Sequence, residues 1–149
     1  MAEPVTLREI DAATVRAVCA LSVSDAQRRF VAPNAVSLAE AHFNDHAWFR
    51  AVYRGDRPVG FVMLEDDPSS DDVFLWRFMI DAAEQGAGVG RRALELVVDH
   101  VRARPGAVKL STTVVEGDGG PRGFYERAGF VSTGEYEEGE LLLELDLSA

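Results

Sequence analysis

Short apolar runs and turn signals alternate along the first third of the chain. A run at 4–10 predicts a strand, and Asp11 is a candidate N-cap for a helix that ends near Leu21. Ser37 opens a capping box that predicts a second helix over 37–43. The stretch between the two helices shows no periodicity, so it is predicted to be irregular.

Three longer apolar runs, at 48–53, 59–64 and 73–80, follow with turn signals between them, which predicts an antiparallel meander. Helical spacing of apolar residues over 90–104 predicts a third helix. The remaining pattern predicts a strand at 108–115, a helix from Pro121 to Gly129, and strands at 130–132 and 141–147 around a loop. The fold class is therefore α+β or mixed α/β, with one domain over 1–149 around a central sheet.

The charge balance of the chain limits the classes of molecule that it is expected to bind. Among 149 residues, 25 Asp plus Glu oppose 15 Lys plus Arg, which gives a formal net charge of −10. Nucleic acids and anionic membranes both require a basic surface, so neither is expected as a partner. The excess carboxylates either keep the surface solvated or attract a cationic small molecule, and both readings stay open.

Cys19 is the only cysteine, which excludes an internal disulfide and a multi-thiolate metal site. Its apolar neighbours predict a buried core position. No cluster of His, Cys or carboxylates has the spacing of metal ligands, so no metal is expected. The chain shows neither a secretory leader nor a membrane span, and a cytoplasmic location is the expectation.

The most informative stretch joins the strand that ends at Ile80 to the helix that follows it. It reads Gln85-Gly86-Ala87-Gly88-Val89-Gly90, and its alternate glycines let backbone N–H groups point into one concavity at a helix N-terminus. Arg91 and Arg92 follow in the first helical turn, where a bound polyanion would reverse the unfavourable interaction with the helix dipole. The segment predicts a pyrophosphate cradle.

A dinucleotide cofactor is the alternative ligand for this loop. Residues 88–93 match G-x-G-x-x-A, and Glu116 lies about twenty residues beyond. A dinucleotide fold needs its first glycine almost directly after the strand, whereas 81–85 intervene here and a hairpin precedes the motif. This alternative is disfavoured.

Gln85-x-x-Gly88-x-Gly90 after an apolar strand resembles motif A of the GNAT superfamily of N-acetyltransferases. A second signature of that family, a tyrosine helix that ends in glycine and an aromatic residue, resembles 124–130. The resemblance implies a GNAT-type single domain with a central, mostly antiparallel sheet flanked by helices. Segments 27–34, 58–64, 74–81 and 129–140 are also similar to bacterial diamine and spermine/spermidine acetyltransferases.

The resemblance implies acetyl-CoA as cosubstrate. The backbone of 78–80 would pair with its pantetheine arm and polarise the thioester carbonyl, and Tyr125 would protonate the departing thiolate. The family usually carries Asn where this chain has Asp118, which cannot donate a hydrogen bond as a carboxylate. The implied cofactor-binding set is Phe78, Met79, Ile80, Gln85, Gly86, Ala87, Gly88, Val89, Gly90, Arg91, Asp118 and Tyr125.

The residue that accepts the amine proton cannot be assigned from the family resemblance, because Thr113 stands where some relatives carry Glu. Glu116 is the catalytic candidate, and Glu65, Asp66 and a water chain remain alternatives. By the same resemblance, the acceptor site would hold aromatic and polar side chains near an acidic hairpin at 135–140. The implied substrate residues are Phe30, Asn34, Trp76 and Tyr136.

Together these features predict direct acetyl transfer from acetyl-CoA to a primary amine in a ternary complex, with polyamines and diamines among the candidate acceptors. No nucleophile for a covalent intermediate is apparent. The alternative is a non-catalytic domain that binds or senses acyl-CoA, because Asp118 and Thr113 depart from the family pattern. A homodimer is common in the family and is a candidate assembly.

Overall fold

A seven-stranded sheet runs through the computed structural model, which describes residues 3–148. Its spatial order is β1-β2-β3-β4-β5-β7-β6, and β4 with β5 is the one parallel pair in that sheet. The predicted mixed architecture with a mostly antiparallel sheet is confirmed. The strands are β1 (Val5–Arg8), β2 (Ala47–Arg54), β3 (Arg57–Glu65), β4 (Asp72–Ile80), β5 (Lys109–Val114), β6 (Val131–Glu137) and β7 (Glu140–Asp146).

Helices cover both faces of this sheet. The α-helices are α1 (Val15–Cys19), α2 (Asn34–His42), α3 (Val89–Arg102) and α4 (Arg122–Arg127), and short 3-10 helices span Asp25–Phe30 and Ala82–Glu84. The apolar stripe of α3 packs with Leu75, Leu110 and Tyr125 on one face, whereas Val18 of α1 packs with Phe61 on the other. Burial of these stripes against the sheet is the main stabilising contribution to the fold.

The two parallel strands separate halfway along their length. Cα pairing between β4 and β5 runs from Asp72–Lys109 to Leu75–Thr112 and then stops. Beyond that point β4 continues to Ile80 paired only with β3, and β5 continues to Val114 paired only with β7. A cleft therefore opens at the middle of the sheet.

The first two helices differ from the sequence prediction. Asp11 Oδ1 accepts hydrogen bonds from the amides of Ala13 and Thr14 in a turn, and α1 begins only at Val15. Ser37 does not cap α2, because the helix already begins at Asn34 and Ser37 is buried within it. The capping box lies instead at Ser24, in the stretch predicted to be irregular.

Two further expectations are wrong. Strand β6 extends to Glu137, well beyond the predicted 130–132, because Glu138 and Gly139 adopt φ of 49° and 83° and form a tight hairpin turn. Cys19 is exposed at the C-terminal end of α1 rather than buried, because Val18 is the residue of this helix that enters the core.

Candidate active site

A cleft of about 1700 Å³ occupies the gap between β4 and β5. Its floor is the separated part of the two strands. Its walls are the 3-10 helix Asp25–Phe30, the loop at 85–91, α4 and the turn between β6 and β7. Most of the candidate site residues from the sequence analysis therefore border one continuous space.

One end of the cleft is formed by the main chain of the glycine loop at 86–91, which we call the cradle. Gly86 and Gly88 have φ of +84° and +82°, and a Cβ at either position would meet no atom within 4 Å. The first helical hydrogen bond of α3 runs from the Arg92 amide to the Gly88 carbonyl, and no side chain of the described residues caps this end. The amides of the first turn are thus free to bind an anion, aided by the helix dipole.

Gln85 fixes the cradle in place. Its Nε2 donates to the Ile80 carbonyl oxygen at 2.8 Å and to Gln27 Oε1 at 2.9 Å. These two bonds join the end of β4, the glycine loop and the 3-10 helix Asp25–Phe30. The side chain therefore orders the loop, and the main chain is left to contact a ligand.

The cleft-facing edge of β4 leads from the middle of the cleft to the cradle. Phe78, Met79 and Ile80 pair on one side with β3 and have no pairing with β5 on the other. The Met79 and Ile80 side chains are buried, so these residues offer mainly backbone to the cleft. An unpaired strand edge can bind an extended chain through main-chain hydrogen bonds.

Tyr125 enters the cleft from α4. Its ring packs edge-on against Phe124 and Phe130, with centroid distances of 5.3 Å to each. Burial raises the pKa of the Tyr125 phenol far above its usual value, and the nearby Thr112 hydroxyl lowers it by less. The phenol therefore remains protonated and can act as a proton donor near neutral pH.

Carboxylates border the opposite end of the cleft. Glu65 comes from β3, and Glu137, Glu138 and Glu140 come from the β6–β7 hairpin. A smaller recess that shares Glu65 and Glu137 adds Asp67 and Asp72. Arginines border the cradle half, among them Arg28 and Arg29 on the 3-10 helix beside it. The side chains that line the two ends thus differ in charge, although Arg28 is paired with Asp25 and Arg91 with Glu95.

A paired arginine and glutamate also line the cleft. Arg77 Nη2 donates to Glu40 Oε1 at 3.0 Å, and Arg77 Nη1 donates to the Trp76 carbonyl at 3.0 Å. Arg77 Nε is buried and has no hydrogen-bond partner among residues 3–148. No pattern in the chain points to this pair, because Arg77 lies inside an apolar strand and Glu40 lies on a helix distant in sequence.

The structure brings most predicted site residues to the cleft. Gly90 packs between Ile80 and Phe124, where a Cβ would lie 3.5 Å from each. The predicted residues that line the cleft are Phe30, Trp76, Phe78, Met79, Ile80, Gln85, Gly86, Gly88, Gly90, Arg91 and Tyr125. Ala87 is exposed beside them, and the Val89 side chain is buried, which leaves only its amide toward the cradle.

Asn34 does not reach the predicted acceptor site. It is 2% exposed, and its Nδ2 donates to the Val18 carbonyl at 2.9 Å while lying 3.6 Å from Met79 Sδ. This amide ties the start of α2 to α1 because a buried polar group requires a partner. Its placement contradicts a contact with the acceptor.

Glu116 and Tyr136 also lie outside the cleft lining. Glu116 accepts hydrogen bonds from Tyr136 Oη at 2.6 Å and from Arg122 Nη1 at 2.8 Å. The bond to Glu116 raises the pKa of Tyr136, whose side chain is largely exposed. Both residues are held in a surface cluster, so neither fits the role predicted for it.

Asp118 lies in an exposed loop that packs beneath the 3-10 helix Asp25–Phe30. A Cβ on Gly117 would lie 2.6 Å from Arg29 Nη2, and one on Gly120 would lie 2.9 Å from Phe30 Cε1. Gly117 is needed because its φ is +149°, and Gly120 is needed because a Cβ there would also lie 3.0 Å from the Gly117 carbonyl oxygen. Gly119 and Gly120 of this loop line part of the cleft, but the Asp118 side chain does not.

Across residues 3–148, no three His, Cys, Asp or Glu side chains are grouped as a metal site. The described helices are all too short or too polar to cross a bilayer. His42 and His46 are exposed, and His100 stacks on Trp48 with a centroid distance of 4.1 Å. The histidines of the described chain therefore lie away from the cleft lining.

The model of the acetyltransferase (GNAT) family matches residues 15–130. The chain is 28% identical over 141 residues to the spermine/spermidine N(1)-acetyltransferase of Bacillus subtilis (strain 168), a match that covers 88% of this chain and 91% of that protein. It is 36% identical over 91 residues to the peptidyl-lysine N-acetyltransferase YjaB of Escherichia coli (strain K12), covering 61% of this chain and 54% of YjaB.

Solved structures share the architecture at low sequence identity. The PaiA N-acetyltransferase of Thermoplasma acidophilum, in complex with coenzyme A, superposes with a TM-score of 0.72 at 11% identity, over 96% of this chain and 99% of that chain. A chimera of the spermidine N-acetyltransferase SpeG from Vibrio cholerae and hSSAT also has a TM-score of 0.72, at 18% identity, over 97% of this chain and 96% of that chain.

Proposed function

The chain belongs to the acetyltransferase (GNAT) family and has its fold, and from this premise we propose that it transfers the acetyl group of acetyl-CoA to a primary amine of a polyamine. The observation that carries the proposal is one cleft with an anion cradle at one end and carboxylates at the other. An anionic cofactor and a cationic acceptor can therefore meet at the separated strands between them.

The residues at the cradle end fit acetyl-CoA. The free amides at the start of α3 suit a pyrophosphate, and the unpaired edge of β4 suits an extended pantetheine arm. When bound, acetyl-CoA supplies the thioester. A backbone amide of 78–80 polarises the thioester carbonyl, and Tyr125 donates its proton to the departing thiolate.

The acidic end supports a cationic acceptor with more than one charge. Glu65 and Glu137 border both the main cleft and the smaller acidic recess, so a second ammonium group can extend into that recess. The Bacillus relative is named for spermine and spermidine and the Escherichia relative for peptidyl-lysine. Each of those acceptors carries a primary amine at the end of an alkyl chain.

The test is release of free thiol from acetyl-CoA with matched amines. Putrescine and n-butylamine have the same carbon chain and the same reacting group, and only putrescine carries a second charge. We expect kcat/KM for putrescine and spermidine to exceed that for butylamine by roughly tenfold or more, since a charge-assisted contact contributes about 1.5–3 kcal/mol.

Equal rates with putrescine and butylamine would contradict the polyamine assignment. Faster transfer to lysine peptides than to polyamines would move the acceptor to a protein side chain. Tight binding of acetyl-CoA without acetylation of polyamines, amino acids, aminoglycosides or peptides would favour a non-catalytic acyl-CoA binding domain.

A further inference from the structure

An alkylamine is almost wholly protonated at neutral pH, so it must lose a proton before its nitrogen can attack a thioester. Five carboxylates line the cleft and are candidates to accept that proton. They are Glu40, Glu65, Glu137, Glu138 and Glu140.

The five carboxylates differ in their ion-pair and hydrogen-bond partners and in their exposure. Glu40 is bound to the Arg77 guanidinium, and Glu65 accepts from Asn44 Nδ2 at 2.7 Å and is exposed. Glu137 and Glu138 are exposed at the hairpin turn. Glu140 is half-buried, and among residues 3–148 no Lys, Arg or His nitrogen lies within 4.0 Å of its carboxylate.

Glu140 is held in a defined position by a neutral donor. Thr113 Oγ1 on β5 donates to Glu140 Oε1 at 3.2 Å. This bond leaves the other carboxylate oxygen available. Across the hairpin Glu140 is paired with Glu137, whose negative charge favours a cation beside the two side chains.

The acid and the carboxylate approach the cleft from opposite faces of the sheet. Thr112 contacts Tyr125 on the face that α3 and α4 cover. Thr113 is the next residue of the strand, and successive side chains point to opposite faces, so Thr113 and Glu140 lie on the other side. A nitrogen can then attack from the Glu140 side while sulfur leaves toward Tyr125.

We propose that Glu140 accepts the proton of the attacking amine and that Thr113 positions its carboxylate, an inference that rests on the proposed acetyl transfer. The ammonium group gives one proton to Glu140, the neutral nitrogen bonds to the carbonyl carbon, and the carbon–sulfur bond breaks. The Tyr125 proton passes to the thiolate, and the second proton, which the nitrogen loses as the amide forms, passes to solvent. Solvent then reprotonates Tyr125 and removes the proton from Glu140, so each transfer releases one proton overall.

The pH dependence of Glu140→Gln tests this assignment. Without a proton acceptor the variant depends on amine that arrives already neutral, a fraction that grows as pH rises toward the amine's own pKa. We expect kcat with spermidine to fall roughly 10²-fold at pH 7 and by less than about tenfold at pH 9.5. Binding of acetyl-CoA, measured by calorimetry, is expected to stay within twofold.

Two variants complete the experiment. Thr113→Val keeps the shape of the side chain and the Glu140 charge, and we expect a loss of roughly threefold to tenfold in kcat, since it removes only a positioning hydrogen bond. Glu135→Gln removes one charge from an exposed position outside the cleft and is expected to match the wild type.

A rate ratio between wild type and Glu140→Gln that does not change with pH would overturn the inference, because a structural defect has no reason to follow the protonation of the amine. An effect on spermidine KM alone would also overturn it and make Glu140 a binding residue. A wild type that binds acetyl-CoA but acetylates no amine would remove the proposed function as well, whereas an active wild type matched by Glu140→Gln would remove this inference alone.

Discussion

The two ends of the cleft are built in different ways. The cradle consists of main-chain amides in one contiguous segment, 85–91, at the start of α3. The acidic end consists of side chains from β3 and from the β6–β7 hairpin, which are far apart in sequence. A main-chain cradle requires glycines at set positions of one segment, so the cradle end can be recognised from the sequence. The acidic end is assembled from segments that meet only in the folded protein.

The two ends also differ in charge, although the protein as a whole carries −10. A helix N-terminus binds an anion through fixed dipoles and needs few cationic side chains, so an acidic protein can hold a pyrophosphate locally. The carboxylates gather at the opposite end, where the proposed alkylammonium acceptor would bind. Changes at one end should therefore affect one substrate and spare the other.

The largest expected effect comes from the centre of the cleft. Tyr125→Phe should lower kcat by roughly 10²–10³-fold, since the departing thiolate loses its proton donor. Because the ring and its packing are kept, the Kd for acetyl-CoA should change by less than about twofold. Tyr136→Phe, which alters a tyrosine outside the cleft, is the matched control for steady-state kinetics.

Equal losses of turnover and acetyl-CoA binding in Tyr125→Phe would assign the tyrosine to binding. Unchanged turnover would leave the proton donor elsewhere in the cleft.

The cradle end is tested by Gly88→Ala. Gly88 adopts a φ of +82° that alanine reaches only with strain, so the first turn of α3 should reorganise. We expect the Kd for acetyl-CoA to rise about tenfold, with spermidine KM unchanged. Gly106→Ala places the same strain, at φ +82°, at a turn outside the cleft lining, and should cost stability without loss of binding.

The acidic end is tested by Glu137→Gln. This carboxylate is exposed and borders both the main cleft and the acidic recess, so its loss should raise spermidine KM about threefold. The effect should shrink at high salt, and butylamine should show a smaller change. An equal rise in the KM for acetyl-CoA would contradict the expectation that a change at the acidic end affects only the amine substrate.

The smallest effect is expected outside both ends, at His100. Burial and the neighbouring Arg50 lower the pKa of this imidazole, with a smaller opposing influence from Asp66. The folded state then binds a proton at His100 less readily than the unfolded chain does. The stability that the neutral imidazole contributes is therefore present above about pH 6.5 and is lost as pH falls. His100→Phe should keep the stacking on Trp48 and lose less Tm between pH 7.5 and pH 5 than the wild type does.

The same fall in Tm in both proteins would assign the acid sensitivity to other groups. Both KM values should remain those of the wild type, because His100 does not line the cleft.

Prediction from sequence worked where the signal was local. The meander of β2, β3 and β4 and the helix α3 each depend on neighbouring residues, and the structure has all of them. The glycine loop also lies between β4 and α3, as its local pattern predicts. It failed where a distant partner decides the outcome. Ser37 matches a capping box, but Asn34 starts the helix earlier because its amide bonds the Val18 carbonyl.

The acceptor end shows the same limit. Glu116 lies closest in sequence to the β5 end, yet Arg122 and Tyr136 hold it at the surface. Glu140 reaches the cleft only because β7 pairs with β5 and places it beside Thr113. That proximity depends on the pairing of β5 with β7, which are separated along the chain by α4 and β6, so no single segment of the sequence encodes it.

The proposed mechanism is direct transfer between two substrates bound at opposite ends of one cleft. Initial rates measured over a matrix of acetyl-CoA and spermidine concentrations test this most directly. Intersecting double-reciprocal lines, with no acetylated protein by mass spectrometry, are the predicted result. Parallel lines together with a stable acetyl adduct on the protein would contradict it, because they require a covalent intermediate.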